Sequence, residues 1–213
     1  MISKGIFITF EGPDGSGKTT VSKQVYEKLN KRFLNNDKVI YTREPGGTEI
    51  AEKIRDIIVN YDIDSRTEAL LFAASRSEHI WKKIMKAKNE NKIILCDRFV
   101  DSSLVYQGIV KGLGIRKIYK INEFAMGQIK PDYIFYFDAM PKTCLERLNN
   151  RERLKDRMDF QTEDEIRKTV NGYYSILRFN EKRIFRINAE RDIPEIVEDV
   201  YHKILNIIEG NIK

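Results

Sequence analysis

The sequence predicts an α/β protein of three layers, with helices on both faces of a five-stranded parallel sheet. Three observations predict it. Short apolar runs rich in β-branched and aromatic residues recur along the chain. Long amphipathic stretches fill the gaps between them. The first apolar run, GIFITF, opens at once into a turn holding three glycines, EGPDGSGKTT. Near-continuous apolar strands are buried on both faces, and strand–helix alternation with right-handed crossovers builds a parallel sheet.

In chain order, the strands are predicted at residues 5–10 (GIFITF), 38–42 (KVIYT), 93–96 (IILC), 133–137 (YIFYF) and 183–187 (RIFRI). Helical patterns cover 18–33, 49–59, 67–88, 116–127, 142–150, 163–179 and 194–208. No repeat, low-complexity tract or linker divides the chain, so residues 1–213 are expected to form one domain. One segment breaks the pattern: RLNNRERLKDRMD, residues 147–159, is polar and rich in arginine.

Composition narrows the class. The 213 residues are 41% hydrophobic and 33% charged, which fits a globular chain with its own core. A net charge of +6 favours anionic partners, nucleotides as much as nucleic acid. No signal-peptide pattern and no apolar run of about 20 residues is present, so a cytoplasmic protein with no membrane partner is expected. Cys96 and Cys144 give neither a disulfide framework nor a metal cluster and are read as reduced thiols, Cys96 as a small buried hydrophobe.

The chemistry concentrates after the strands. Gly12, Gly17, Lys18 and Thr19 match G-x-x-x-x-G-K-[ST], with a strand before and a helix after, as in folds of the P-loop NTPase type. Gly12, Gly15 and Gly17 let backbone N–H groups approach phosphate oxygens, and the helix start favours the same anion. Lys18 suits the β and γ phosphates, and Thr19 suits Mg²⁺. KIILCDR ends a strand in Asp97 and Arg98, where ligands bind in open α/β sheets. Asp97 can hold Mg²⁺ or accept a proton, and Arg98 can contact phosphate. TREPGGTE places Arg43 at another strand end, as a phosphate fork or equally as a solvated residue. Phe72 and Arg76 share a helix face. They suit a planar base, but on spacing alone a core Phe72 with Arg76 reaching water fits better. Ser103 and Gln107 suit a pyrimidine edge or an exposed face equally well. His79 and His202 read as solvated or capped, without a catalytic role, and Trp81 and the tyrosines as packing or surface.

Taken together, FEGPDGSGKTT, TREPGGTEIAEKIR, LLFAASRSEH, LCDRFVDSSLVYQG and PDYIFYFD closely resemble thymidylate kinases of the bacterial kind, over essentially the whole chain. One departure is Phe99, where the family often has tyrosine. The resemblance implies a five-stranded parallel sheet, a homodimer, and transfer of the ATP γ-phosphoryl to dTMP with Mg²⁺. It implies that Gly12, Pro13, Asp14, Gly15, Ser16, Gly17, Lys18 and Thr19 cradle ATP, with Asp14 also facing the deoxyribose. Arg43 and Arg98 would hold the acceptor phosphate, and Arg55 would line that site. Phe72 would stack on thymine, with Arg76, Ser103 and Gln107 near its polar edge. Thr19 and Asp97 would serve the metal.

Some members of that family carry an arginine where this chain has Gly15, and those without it draw positive charge from a lid. Residues 147–159 are the expected lid here. Arg157 is the first catalytic candidate, then Arg151 or Arg153, with Arg147 in reserve. A kinase of another nucleotide, a non-catalytic P-loop protein and a nucleic-acid binder are the rival readings. Lys18, Thr19 and Asp97 speak against the second, and acidic residues spread through every helix against the third.

Overall fold

The structure, a computed structural model, describes residues 5–34, 37–150, 161–177 and 181–210. Strands β1 (Ile6–Glu11), β2 (Val39–Arg43), β3 (Ile93–Asp97), β4 (Tyr133–Asp138) and β5 (Ile184–Asn188) form one parallel sheet in the order β2-β3-β1-β4-β5. The five expected strands are all present. The helices are α1 (Lys18–Arg32), α2 (Glu49–Asn60), α3 (Ser65–His79), α4 (Met85–Asn89), α5 (Val100–Ser103), α6 (Ile115–Met126), α7 (Pro141–Asn149), α8 (Glu163–Ile176) and α9 (Ile193–Ile208).

Strand alternation explains the layers. Ile8 and Phe10 of β1 pack with Val21, Val25 and Leu29 of α1 and with Val200 and Ile204 of α9. Phe7, one residue out of phase, joins Ile94 and Cys96 of β3 against Ile84, Ala87, Phe99 and Ile118 on the opposite face. Burying each of the Val, Leu, Ile and Phe side chains among them contributes about 1.5–3 kcal/mol.

The register fixes where chemistry can occur. Asp97 lies beside Phe10 on one side and Arg43 on the other, so the ends of β1, β2 and β3 are level. Helix starts differ in a telling way. Thr48 caps α2 through Ala51 N, Asp64 caps α3 through Arg66 N and Thr67 N, and Thr162 and Glu165 form a capping box on α8. Helix α1, like α6 and α7, has no side-chain cap and no acidic residue in its first turn. What distinguishes it is the glycine loop that leads into it, whose amide groups suit an anion.

Helical expectations change in three places. Residues 67–88 do not form one regular helix: a π-helical turn, Ile80–Ile84, separates α3 from α4 and leaves Trp81 65% exposed. After Asp97 the chain runs through α5 into a second π-helical segment, Leu104–Val110, which the helical patterns did not delimit. Helix α8 ends at Ile176, where Leu177 turns extended, short of the expected 179.

Candidate active site

The loop between β1 and α1 takes a shape that its glycines permit. Gly15 and Gly17 have φ of 82° and 84°, in the left-handed region where side chains are strained. A Cβ on Gly15 would lie 2.3 Å from the carbonyl oxygen of Cys144 in α7, so backbone packs directly on backbone there. Lys18 turns back over the loop and donates from Nζ to the Pro13 carbonyl at 3.1 Å, 3.6 Å from Asp14 Oδ1. It is 4% exposed. Burial and the neighbouring Arg98 guanidinium pull its pKa down, against the pull of Asp14, Asp97 and Glu11.

Across the sheet end, Thr19 Oγ1 donates to Asp97 Oδ2 at 2.5 Å. Asp97 Oδ1 is buried and has no hydrogen-bond partner, and neither has Ser16 Oγ in the loop. A polar atom buried without a partner is costly unless a ligand satisfies it.

Arg98 ties the loop to the rest of the site. Its φ of 71° is unusual for a side-chain-bearing residue. Its guanidinium donates to the Gly12 carbonyl at 3.2 Å, to Ser102 Oγ at 2.9 Å and to Asp14 Oδ1 at 2.6 Å, and lies over the Tyr106 ring. Burial opposes its charge, but Asp14, Tyr106, Tyr173 and Asp97 together outweigh burial and hold the guanidinium pKa well above its usual value. Asp14 is pulled the other way. Burial would raise its pKa, yet Arg98 and Lys18, with hydrogen bonds from Gln161 and Tyr106, set it well below the usual carboxylate range. Asp14 and Arg98 therefore favour their charged forms in this site, while burial and Arg98 work against the charge on Lys18.

A second group surrounds Arg76. This residue is 1% exposed, so the expectation that it reaches water is wrong. Its Nε donates to Glu44 Oε2 at 2.7 Å and its Nη1 to Ser103 Oγ at 3.1 Å; Asn122 Oδ1 accepts from Nη1 as well, and the guanidinium sits over Phe99. Breaking such a buried pair from one side costs about 3–5 kcal/mol. His79 is buried too, not solvated or capped. Its Nδ1 meets Glu44 Oε1 at 2.9 Å and its Nε2 meets Thr42 Oγ1 at 2.7 Å. His202 is 68% exposed, as expected of a solvated residue. Arg43 donates to the Pro45 carbonyl and to Glu52 Oε2, and Arg55 donates to the same Pro45 carbonyl at 3.2 Å.

One cavity of about 680 Å³ brings these groups together. Asp14, Lys18, Thr19 and Asp97 line it with Arg43, Arg55 and Arg98, and so do Phe72, Arg76, Ser103 and Gln107. Gln107 is 1% exposed, so it does not belong to an exposed helix face. Gly12, Pro13, Gly15, Ser16 and Gly17 form the loop behind. Arg147 donates to the Ala189 carbonyl at 2.9 Å, at the end of β5. Arg151, Arg153 and Arg157 lie outside the described residues.

The sequence reading missed several residues here. Glu11 is fully buried and accepts from Phe99 N, Ser102 Oγ and Tyr173 OH; burial pushes its pKa up. Tyr106 and Tyr173 are not mere packing: Tyr106 OH donates to Asp14 Oδ2 at 3.0 Å. A carboxylate at a strand end is the signal that would have found Glu11, and a phenol on the helical stretch that follows Arg98 the one for Tyr106; Tyr173 of α8, 75 positions from Arg98, gave none.

A buried ammonium at an uncapped helix start, facing a guanidinium-lined cavity at the carboxyl ends of a parallel sheet, defines the class: a P-loop kinase of nucleoside monophosphates. Known proteins make the family specific. The thymidylate kinase family profile matches residues 10–200. The chain is 55% identical to thymidylate kinase of Malacoplasma penetrans (strain HF-2) over 208 residues, 96% of this chain and 97% of that one. It is 46% identical to the thymidylate kinase of Ligilactobacillus salivarius (strain UCC118) over 95% of this chain and 98% of that one. A crystal structure of thymidylate kinase from Ehrlichia chaffeensis superposes with a TM-score of 0.77 at 32% identity, covering 94% of this chain and 98% of the other. The chain belongs to the thymidylate kinase family.

Proposed function

We propose that the protein moves the γ-phosphoryl of ATP onto the 5′-phosphate of dTMP, supplying dTDP toward dTTP for DNA synthesis. The carrying observation is the single cavity in which loop residues Asp14, Lys18 and Thr19 share one space with Phe72, Arg76, Ser103 and Gln107. Donor phosphates are held by the N–H groups from Gly12 to Thr19 and by Lys18. Arg43 and Arg98 hold the acceptor phosphate, with Arg55 lining that site, which aligns the attacking oxygen; positioning of this kind carries most of the rate in phosphoryl transfer. Phe72 stacks on the base, Arg76 and Gln107 meet its polar edge, and Asp14 faces the sugar.

The residues present fit a divalent cation. Asp97 Oδ1 is buried without a partner and Asp97 Oδ2 already holds the Thr19 hydroxyl, so Thr19 and Asp97 would hold Mg²⁺ together with the nucleotide. The ion, when bound, neutralises phosphate charge. Asp97 also organises the acceptor end. The whole chain acts as one domain with its lid at about 147–159. Two buried free cysteines fit a reducing, cytoplasmic setting, and no helix among the described residues is long and apolar enough to cross a membrane. No nucleic-acid partner is part of this reading.

An acceptor panel tests it. With MgATP and coupled detection of ADP, dTMP is expected to be the best acceptor and dUMP to follow, since one methyl contact is worth about 1–3 kcal/mol. Purine monophosphates should be poor. A panel led by dGMP or CMP would leave a kinase of another kind. The homodimer is also proposed, and is supported by Leu70 of α3 and Phe124 of α6, 57% and 93% exposed on two helices that pack together. Sedimentation equilibrium at micromolar concentration should give twice the chain mass, and a monomer there rejects the dimer.

A further inference from the structure

Glu68 is fully buried on α3, four residues before Phe72, and does not line the cavity. Its Oε1 accepts from Gln107 Nε2 at 3.1 Å, and Lys111 Nζ lies 2.6 Å from both of its oxygens. Gln107 does line the cavity. The two ends of a side-chain amide share one shape and have opposite chemistry, one donating and one accepting. A carboxylate has only lone pairs to offer, so it selects the donating end. With Nε2 turned to Glu68, the carbonyl Oε1 is the end that Gln107 turns away, toward the cavity. Lys111 supplies the countercharge that lets a carboxylate sit there, and it is 29% exposed, so it reaches Glu68 from the surface side.

We infer that Glu68 is a positioning residue for base specificity: by fixing the Gln107 amide, it makes the base-reading side of the cavity an acceptor. An acceptor selects a pyrimidine ring that donates from N3–H, as thymine and uracil do. It faces lone pair against lone pair when the ring accepts at N3, as cytosine does. Unfavourable contacts of this kind generate specificity as much as favourable ones do. The inference rests on the proposed reading of Gln107 as facing the base and deepens it: the polarity of the glutamine is set by a residue that never touches the nucleotide.

The test compares kcat and KM for dTMP, dUMP and dCMP in the wild-type protein and in Glu68→Gln. An amide at position 68 can accept or donate, so the Gln107 amide is free to present either end. The preference for dTMP over dCMP is expected to fall about tenfold or more, with kcat for dTMP held within about threefold. A purely structural role predicts a different pattern, in which kcat/KM falls in equal proportion for all three acceptors and the preference stays put. That pattern, in a wild-type protein that prefers dTMP, overturns the inference alone. A wild-type protein that does not prefer dTMP overturns the thymidylate reading and this inference with it. Should Glu68→Gln leave Lys111 uncompensated and fail to fold, the double variant Glu68→Gln/Lys111→Met, with no charge left over, carries the same expectation. A readout in the wild-type protein needs no variant: with dTMP bound, nuclear Overhauser contacts from the Gln107 side-chain amide protons should reach the Glu68 side chain, and contacts to the thymine ring instead reject the assignment.

Discussion

Lys18→Ala is expected to turn over about 10²-fold or more slowly than the wild-type protein at saturating MgATP, with its fold intact. The ammonium is buried and is set against the loop backbone by the Pro13 carbonyl at 3.1 Å. A charge fixed in this way needs no reorganisation when negative charge shifts between donor and acceptor, which is why its removal appears in kcat and is not repaired by more substrate. The loop should survive the substitution. Asp14, the nearest carboxylate, keeps Arg98 at 2.6 Å and the Tyr106 hydroxyl at 3.0 Å, so no uncompensated charge is left behind. Lys18 also carries a desolvation cost, visible in its lowered pKa, that alanine does not. Steady-state kinetics beside a thermal melt decide it: near-normal turnover at saturating ATP sinks the P-loop assignment, while a collapsed melting transition means that the loop depends on Lys18 for its fold.

How much of this was legible in the sequence depends on how far apart the cooperating residues lie. The strands were legible because burial on both faces writes itself as continuous apolar runs such as IILC and YIFYF. The phosphate loop was legible because its geometry is local: Gly15 and Gly17 need positive φ, and sequence states that directly. The buried ionic network was not. Glu44 meets Arg76 across 32 positions, Glu68 meets Gln107 across 39, and Glu11 reaches Phe99 N across 88. Each of these carboxylates looks like an ordinary surface residue until the sheet brings its partner to it. Arg76 misled for the same reason, since a lone guanidinium on a helix reaches water by default and only Glu44, Ser103 and Asn122 make its burial tolerable. The π-helical turns at Ile80–Ile84 and Leu104–Val110 left no mark in the hydrophobic period, because one extra residue in a turn hardly shifts it.

Single substitutions of Arg151, Arg153 and Arg157 by alanine are expected to split: one loses about 10²-fold or more in kcat, and the other two lose little. The reason begins at Gly15. Its φ of 82° and the Cys144 carbonyl, 2.3 Å from where a Cβ would sit, leave no room for a side chain at that position of the loop. Other arginines are already committed: Arg98 to Asp14 and the Gly12 carbonyl, Arg76 to Glu44, and Arg147 to the Ala189 carbonyl. With Arg43 and Arg55 given to the acceptor site, Arg151, Arg153 and Arg157 are the expected source of charge for the transferring phosphoryl. An arginine that acts only as charge develops lowers kcat and leaves the KM for dTMP nearly unchanged. A merely solvated basic segment gives small, equal losses that fade as salt is added, because exposed charges are screened within about 10 Å at 0.1 M ionic strength. Kinetics of the three variants at two ionic strengths separate the two cases. Gly15→Arg, added to the variant with the large loss, should not restore activity and should lower the melting temperature, since α7 must move to admit the side chain. Three variants that all keep wild-type kcat would place the catalytic charge on Arg147 or Arg98 instead.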